Sequence, residues 1–490
     1  MPIEMMIWIV VITALVFDFT NGFHDSANAM ATAVSTGAYR PRQAVLLAAL
    51  MNLIGACLST EVAKTISSGM VDDKLVTPQI VFAALTGAIL WNLFTWLLGL
   101  PSSSSHAIFG ALLGAVLVSV GPSGIHGWTV VSKILLPALV APLVAGIASY
   151  LATKVVYRSL SHIEKGGKRR FRNAQRTSSL LVALAHGTAD GQKTMGIITL
   201  VLVAGTLQTP GRWWAQESGT DPHWWVILAA GLAMAFGTYS GGWRIMRTMG
   251  KGMADIEGPQ GFAVETSAMA AILSSAHFGF GLSTTHVVSG AVLGTGFSRT
   301  PDEVRWRTAR NMGIGWLLTL PAAGLIGGGA AFLAGRGGVA GFIAVLALLV
   351  LAAGVIRVLA RRHHVSADNV TDSHQVRVFG KATEPPATPP TSGALAHVLV
   401  PTLPAATLPN HPLAATPLAL TRLKQPTKKL KPPASQHLDN KLVVLDTDQR
   451  DDGSATGARV TVKTGARSGD SSPVPAGADE PSQQVKEPVS

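Results

Sequence analysis

Long apolar runs separated by short polar stretches occupy the first 360 residues. They fall near 5–20, 43–60, 79–99, 104–120, 130–152, 178–206, 224–241, 262–280, 283–297, 311–333 and 339–360. Crossing the hydrocarbon of a bilayer takes a helix of about 20 apolar residues. Several runs reach that length alone, while others are short or interrupted by polar positions. The pattern predicts an all-α polytopic membrane protein with about 10–12 membrane segments, some of them broken or re-entrant. The first run is followed by Asn21-Gly22-Phe23-His24-Asp25 and by no small-residue cleavage site, so it reads as a retained segment and not as a signal peptide.

Lys and Arg in the short loops set the expected orientation. Residues 154–176 carry Lys154, Arg158, Lys165, Lys168, Arg169, Arg170, Arg172 and Arg176 against Glu164, which predicts a cytoplasmic loop. Counting runs outward from it brings Arg40/Arg42, Arg244/Arg247/Lys251, the cluster from Arg299 to Arg310, and Arg357/Arg361/Arg362 to the same side. The stretch with Trp213, Trp214, Trp224 and Trp225 falls at the opposite interface. The chain thus divides into a first membrane repeat (1–153), a basic loop (154–176), a second membrane repeat (177–362) and a tail (363–490). Most of the 28 prolines lie between 381 and 490 among Ala, Thr, Ser, Lys and Asp, a composition that cannot bury enough apolar area to order itself. The tail is expected to be disordered and cytoplasmic. Lys424, Lys428, Lys429 and Lys431 there read as a solvated charge run before they read as a headgroup contact.

Composition agrees with the membrane reading. Of 490 residues, 48% are hydrophobic and 13% charged, and the mean hydropathy is +0.35, where soluble domains carry about 25% charged residues. The net charge of +12 would suggest nucleic acid in a soluble chain; here it resides in loops and tail, and no nucleic-acid partner is expected. The single cysteine, Cys57, rules out a disulfide framework and any multi-Cys metal site.

Two motifs each occur twice, in the same order. Gly22-Phe23-His24-Asp25-Ser26-Ala27-Asn28 is echoed by Gly187-Thr188-Ala189-Asp190-Gly191-Gln192-Lys193. Ser103-Ser104-Ser105-His106-Ala107-Ile108-Phe109-Gly110 is echoed by Ser283-Thr284-Thr285-His286-Val287-Val288-Ser289-Gly290, and Gly114 and Gly294 continue the match. This is a duplication. The run count makes Asp25 and His286 accessible from outside and Asp190 and His106 from the cytoplasm, the plan of an inverted-repeat transporter with its site near the midplane.

Ionised Asp25 and Asp190 within a bilayer call for a wet cavity or a cation. The glycines beside each Asp predict an interrupted helix there, whose freed carbonyls a cation would share with the carboxylate. The runs Ser102–Ser105 and Ser283–Thr285 each follow a Gly-Leu break and open an apolar helix. Hydroxyls and free amides at a helix N-terminus suit an oxyanion, and two such runs would surround it with neutral donors. N-capping would explain either run alone; the repeated Asp motif beside both favours the anion site. Lys193, whose counterpart is Asn28, lies near the anion or pairs with Asp190. His24, His106, His186, His277 and His286 show no metal-ligand spacing, so no metal site is expected, and His106 and His286 are expected to hold backbone carbonyls. No nucleophile, Walker or paired-carboxylate pattern supports an enzyme or an organic cofactor.

At these residues the sequence resembles the inorganic phosphate transporter (PiT) family, in particular its bacterial low-affinity branch, over approximately residues 5–360. The family pattern around each Asp is Gly-x-Asn-Asp; His24 stands for the Asn in the first copy and Ala189 in the second. The resemblance implies an all-helical inverted repeat that forms a homodimer in the cell membrane. It assigns Asp25, Asn28, Asp190 and Glu265 to ion coupling or gating. Ser103, Ser105, Ser283 and Thr285 are assigned to phosphate, with Ser104, Thr284 and Lys193 completing the candidate substrate shell. Asn52 is taken as the first-half counterpart of Glu265.

The expected function is import of inorganic phosphate by alternating access. Sulfate or another tetrahedral oxyanion is the alternative on the same scaffold, favoured by the amide lost at Ala189. A membrane sensor acting through the tail is the reading from another class. Moving one charge through the membrane costs about 2.3 kcal/mol per 100 mV, so a phosphate dianion needs accompanying cations or must travel as a neutral metal complex. Since His24 and Ala189 replace two amide oxygens that would serve sodium, protons are the expected coupling ion and sodium the alternative.

Overall fold

The computed structural model describes residues 2–161, 167–299, 304–362 and 365–371. The middle of the basic loop (162–166) and nearly all of the predicted tail lie outside the described residues. The first repeat holds α1 (Ile3–Ser35), α2 (Pro41–Ala56), the short α3 (Glu61–Lys64), α4 (Pro78–Leu98), α5 (Ser104–Ser119), the short α6 (Gly127–Val130) and α7 (Leu136–Ser161). The second holds α8 (Gly167–Gln208), α9 (Trp224–Ser240), α10 (Trp243–Lys251), α11 (Gly258–His277), α12 (Thr284–Arg299) and α13 (Trp306–Arg361). Among the described residues no strand forms; two isolated bridges, Val71 with Ile125 and Ala254 with Val304, tie loops together.

Helix ends follow local chemistry. Thr77 accepts from the Ile80 amide and Pro78 opens α4, while a capping box between Glu257 and Gln260, with Pro259 in the first turn, opens α11. Gly99 (φ 65°) and Gly279 (φ 66°) take the left-handed turns after α4 and α11, a matched pair 180 residues apart.

By length and composition α1, α4, the stretch Gly127–Ser161 and α13 are each able to cross a membrane alone, and α13 kinks at Gly338, between the two runs read in the sequence. Two helix pairs pass that test only together. Pro41–Ala56 with Glu61–Ser67 bends by 66°, and Trp224–Ser240 with Trp243–Lys251 by 69°. These are the broken helices of the fold. The helix α8 is not among the helices that pass, since polar and charged residues, among them His186, Asp190, Gln192 and Lys193, interrupt its apolar run.

Helix packing repeats between the halves. As α1 packs on α9, α8 packs on α2; as α5 packs on α13, α12 packs on α7. The inversion is visible between α1 and its copy α8. Ile7 lies at Gly205, a ligand atom of Asp25 lies within 4.8 Å of one of Asp190, and Thr36 bonds Gln175. Rising numbers in one helix meet falling numbers in the other, so the two run antiparallel.

The structure corrects one expectation. Both α1 and α8 are continuous through the Asp motifs, with no interruption at Asp25 or Asp190. The neighbouring glycines serve close packing. A Cβ on Gly22 would sit 2.3 Å from Met234 O of α9, and one on Gly187 would sit 2.3 Å from Asn52 O of α2. Without a side chain at these points the helix pairs approach backbone to backbone.

Candidate functional site

The Ser/Thr runs do begin helices. Ser103 caps α5, its Oγ accepting from the His106 amide at 3.1 Å, and Ser283 Oγ accepts from the His286 amide at 3.3 Å at the start of α12. The two N-termini meet: the His106 and His286 rings lie 4.7 Å apart, edge to face. His286 Nδ1 lies 3.3 Å from Ala138 O, the expected carbonyl contact; His106 is held instead against the His286 ring.

Each aspartate is bonded by the run of its own half. Ser104 Oγ donates to Asp25 Oδ2 at 2.5 Å, and Thr284 Oγ1 donates to Asp190 Oδ2 at 3.2 Å. The next residues cross between halves. Asn28 Nδ2 donates to Thr285 Oγ1 at 2.9 Å and to Thr284 Oγ1 at 3.3 Å, while Lys193 Nζ donates to Ser105 Oγ at 2.5 Å and, within its own half, to Leu282 O at 3.2 Å. Lys193 also forms an ion pair with Asp190. The bonds repeat under the same shifts that relate the motifs, so the duplication extends to the hydroxyl that each side chain meets. All of these residues are buried.

Two histidines reach the carboxylates from unmatched positions. His24 Nδ1 lies 2.7 Å from Asp25 Oδ1, and its Nε2 faces Thr95 and Ser102 at 3.2 and 3.3 Å. In the second half Ala189 offers no such contact, and His186, one turn earlier on α8, lies 3.3 Å from Asp190 Oδ2. Asp25, His186 and Asp190 each bring one ligand atom within 4.8 Å of the others, a set able to hold a cation between the halves. The sequence set His186 aside for want of ligand spacing, because its place in the set depends on α8 meeting α1, which no spacing within α8 announces.

Glu265 lies apart from this centre. It accepts from Thr32 (2.7 Å), Gln175 (3.2 Å) and Ser178 (2.5 Å), all neutral donors. Thr32 stands two turns beyond Asp25 on α1, about 10 Å along the helix axis. Asn52 is not its counterpart: it lies on α2, bonds Thr238 at 2.8 Å and faces His186 at 3.2 Å. The helix matching α11 is α4. The sequence alignment of the halves failed there because the Glu265 position carries no repeated motif.

Comparison with known proteins fits this geometry. The sequence profile described as the phosphate transporter family matches residues 21–327, which include both copies of both motifs. The chain belongs to the phosphate transporter family. A probable low-affinity inorganic phosphate transporter of Mycobacterium bovis is 51% identical over 371 residues, covering 74% of this chain and 86% of that protein. One of Bacillus subtilis is 40% identical, covering 66% of this chain and 96% of that protein. A solved structure of a sodium-dependent phosphate transporter superposes with a TM-score of 0.61 at 24% identity, over 68% of this chain and 99% of that one, and shares its fold.

For a protein of this family the paired runs, and not the apolar cavity beside α1, are the place to look for the anion. A cavity of about 600 Å³ opens beside α1, α4 and α13, lined by Ile12, Val16, Phe19, Trp96 and Leu349. Its walls are mainly apolar; the hydroxyls of Thr13 and Thr20 donate to carbonyls of their own helix, and Arg357 is the one charged residue in the lining, so little there replaces the hydration of an oxyanion.

Proposed function

We propose that the protein imports inorganic phosphate by alternating access, with cations bound at Asp25 and Asp190. The observation that carries the reading is the symmetric cradle: two helix N-termini, entering from opposite halves, bring Ser104, Ser105, Thr284 and Thr285 onto the two carboxylates and onto Asn28 and Lys193. Hydroxyls that bond carboxylates in one state are free to turn their protons to phosphate once cations occupy the carboxylates. Ser103 and Ser283 supply amide order at the helix starts. Lys193 neutralises Asp190 and shares Ser105 with the anion, which joins the two roles expected of it. Glu265, distant from the cradle and held by neutral donors, acts as a gating or coupling group at the far end of α1.

Protons are the coupling ion in this reading, supported by His24 and His186 beside the two carboxylates. A divalent metal–phosphate complex is an alternative form of the cargo. The basic clusters support a cytoplasmic loop 154–176 and a cytoplasmic tail, and the family resemblance supports a homodimer. Sulfate remains the second reading on account of Ala189. Uptake of labelled phosphate into proteoliposomes, resisted by unlabelled phosphate and untouched by equal sulfate, is the expected result. Sulfate transport unaffected by excess phosphate would overturn the assignment.

A further inference from the structure

Asp18 stands on α1 two turns before Asp25, outside both copies of the motif, with no exposed surface. Among the described residues neither of its carboxyl oxygens makes a hydrogen bond of normal geometry; the side chains of Asn21 and Thr194 approach it without closing one. Its surroundings repeat the anomaly. Asn21, one turn along the same helix, and Thr194, on α8 next to Lys193, stand beside the carboxyl. Asn21 is 1% exposed and Thr194 not at all, and Asn21 Oδ1, Asn21 Nδ2 and Thr194 Oγ1 also lack partners. Buried polar groups are almost always bonded, and several orphaned oxygens in one place point to a missing positive charge.

The charge count at the centre agrees. Asp190 and Lys193 of α8 are close enough to act on the Asp18 charge, and His24 and Asp25 follow on its own helix. Lys193 is already committed to Asp190, Ser105 and the Leu282 carbonyl. Asp18, Asp25 and Asp190 therefore bring three carboxyls against one ammonium. An ionised carboxylate sealed from water without a partner is unfavourable, and a bound cation removes that cost.

We infer that Asp18, with Asn21 and Thr194, forms a second cation site that loads one small hard monovalent ion per transport cycle, separate from the centre between Asp25 and Asp190. The inference rests on the cation-coupled reading above. A proton on Asp18 would be donated to the Asn21 or Thr194 oxygen and needs no added space. Sodium would find four oxygens, two from Asp18 and one each from Asn21 and Thr194. Position favours loading from the end of the molecule where α1 begins, since Asp18 lies on that side of Asp25. The site lay hidden in the sequence because Asp18 has no duplicated counterpart.

The test is the number of ions moved per phosphate. Full-length wild type and Asp18→Asn are reconstituted, and the reversal potential of phosphate flux is measured under an imposed proton gradient and then under a sodium gradient. The variant is expected to carry phosphate with the ratio lowered by one, and the gradient that shows the drop names the ion. An unchanged ratio with flux retained overturns the site. If Asp18→Asn inserts without transporting, Asn21→Ala and Thr194→Ala keep the carboxyl and remove one oxygen each. They should raise the half-saturating concentration of the ion at least threefold and leave that of phosphate unchanged; no change in either overturns the inference. Wild-type flux indifferent to both gradients overturns the cation-coupled reading itself, before any variant is compared.

Discussion

Asn28 and Lys193 occupy equivalent positions of the duplication, and each crosses to the hydroxyl of the opposite half: Asn28 Nδ2 to Thr285 Oγ1 at 2.9 Å, Lys193 Nζ to Ser105 Oγ at 2.5 Å. One side chain is neutral and the other positive, so the same contact is made twice with different charge. The asymmetry falls on the half in which Asp190 needs a partner.

Removing that partner should be costly. Lys193→Ala leaves Asp190 buried without its ammonium and is expected to destabilise the protein by about 3–5 kcal/mol, the range for breaking a buried pair. The double variant Lys193→Ala/Asp190→Asn should be less destabilised than the sum of the singles. Thermal unfolding in detergent measures both. Strict additivity would show that the two side chains do not act together.

The carboxylates carry the next prediction. Asp25→Asn and Asp190→Asn should each lower phosphate uptake by at least tenfold while the protein still inserts. Normal transport by both inserted variants would make these groups structural caps.

The two serine roles separate experimentally. Ser103→Ala and Ser283→Ala remove caps and should lower stability by about 1 kcal/mol each, with little change in apparent phosphate affinity. Ser105→Ala with Thr285→Ala should weaken that affinity severalfold with a smaller effect on stability. The opposite pattern would move the anion from the crossing hydroxyls to the caps.

Helix continuity at the aspartates is open to test through the glycines. Gly22→Ala and Gly187→Ala each place a Cβ 2.3 Å from a neighbouring carbonyl oxygen, so both should destabilise by about 1–3 kcal/mol through overpacking. Variants as stable as wild type would indicate that α1–α9 and α8–α2 are not in close contact there.

Much of this was legible in the sequence, and what was not has a physical reason. Apolar runs located the helices, with the gap between the last two runs falling where α13 kinks at Gly338, and the duplicated motifs named Asp25, Asp190 and the two hydroxyl runs. Gly22 and Gly187 were misread as helix breaks, because a glycine required by a neighbouring backbone looks the same in sequence as one required by a turn. His186 was set aside for want of ligand spacing and Asp18 was not singled out, because the roles of both depend on which residues of α1 face α8. Asn52 was matched to Glu265 through the family pattern of a residue on the helix after each Asp motif, where packing pairs α4 with α11.

The central claim, phosphate driven by protons through a cradle shared by two inverted halves, is tested most directly by labelled phosphate uptake into proteoliposomes holding the full-length protein. Uptake should follow an imposed inward proton gradient, collapse with a protonophore, and proceed equally when choline replaces sodium. Strict dependence on sodium at constant pH would contradict it.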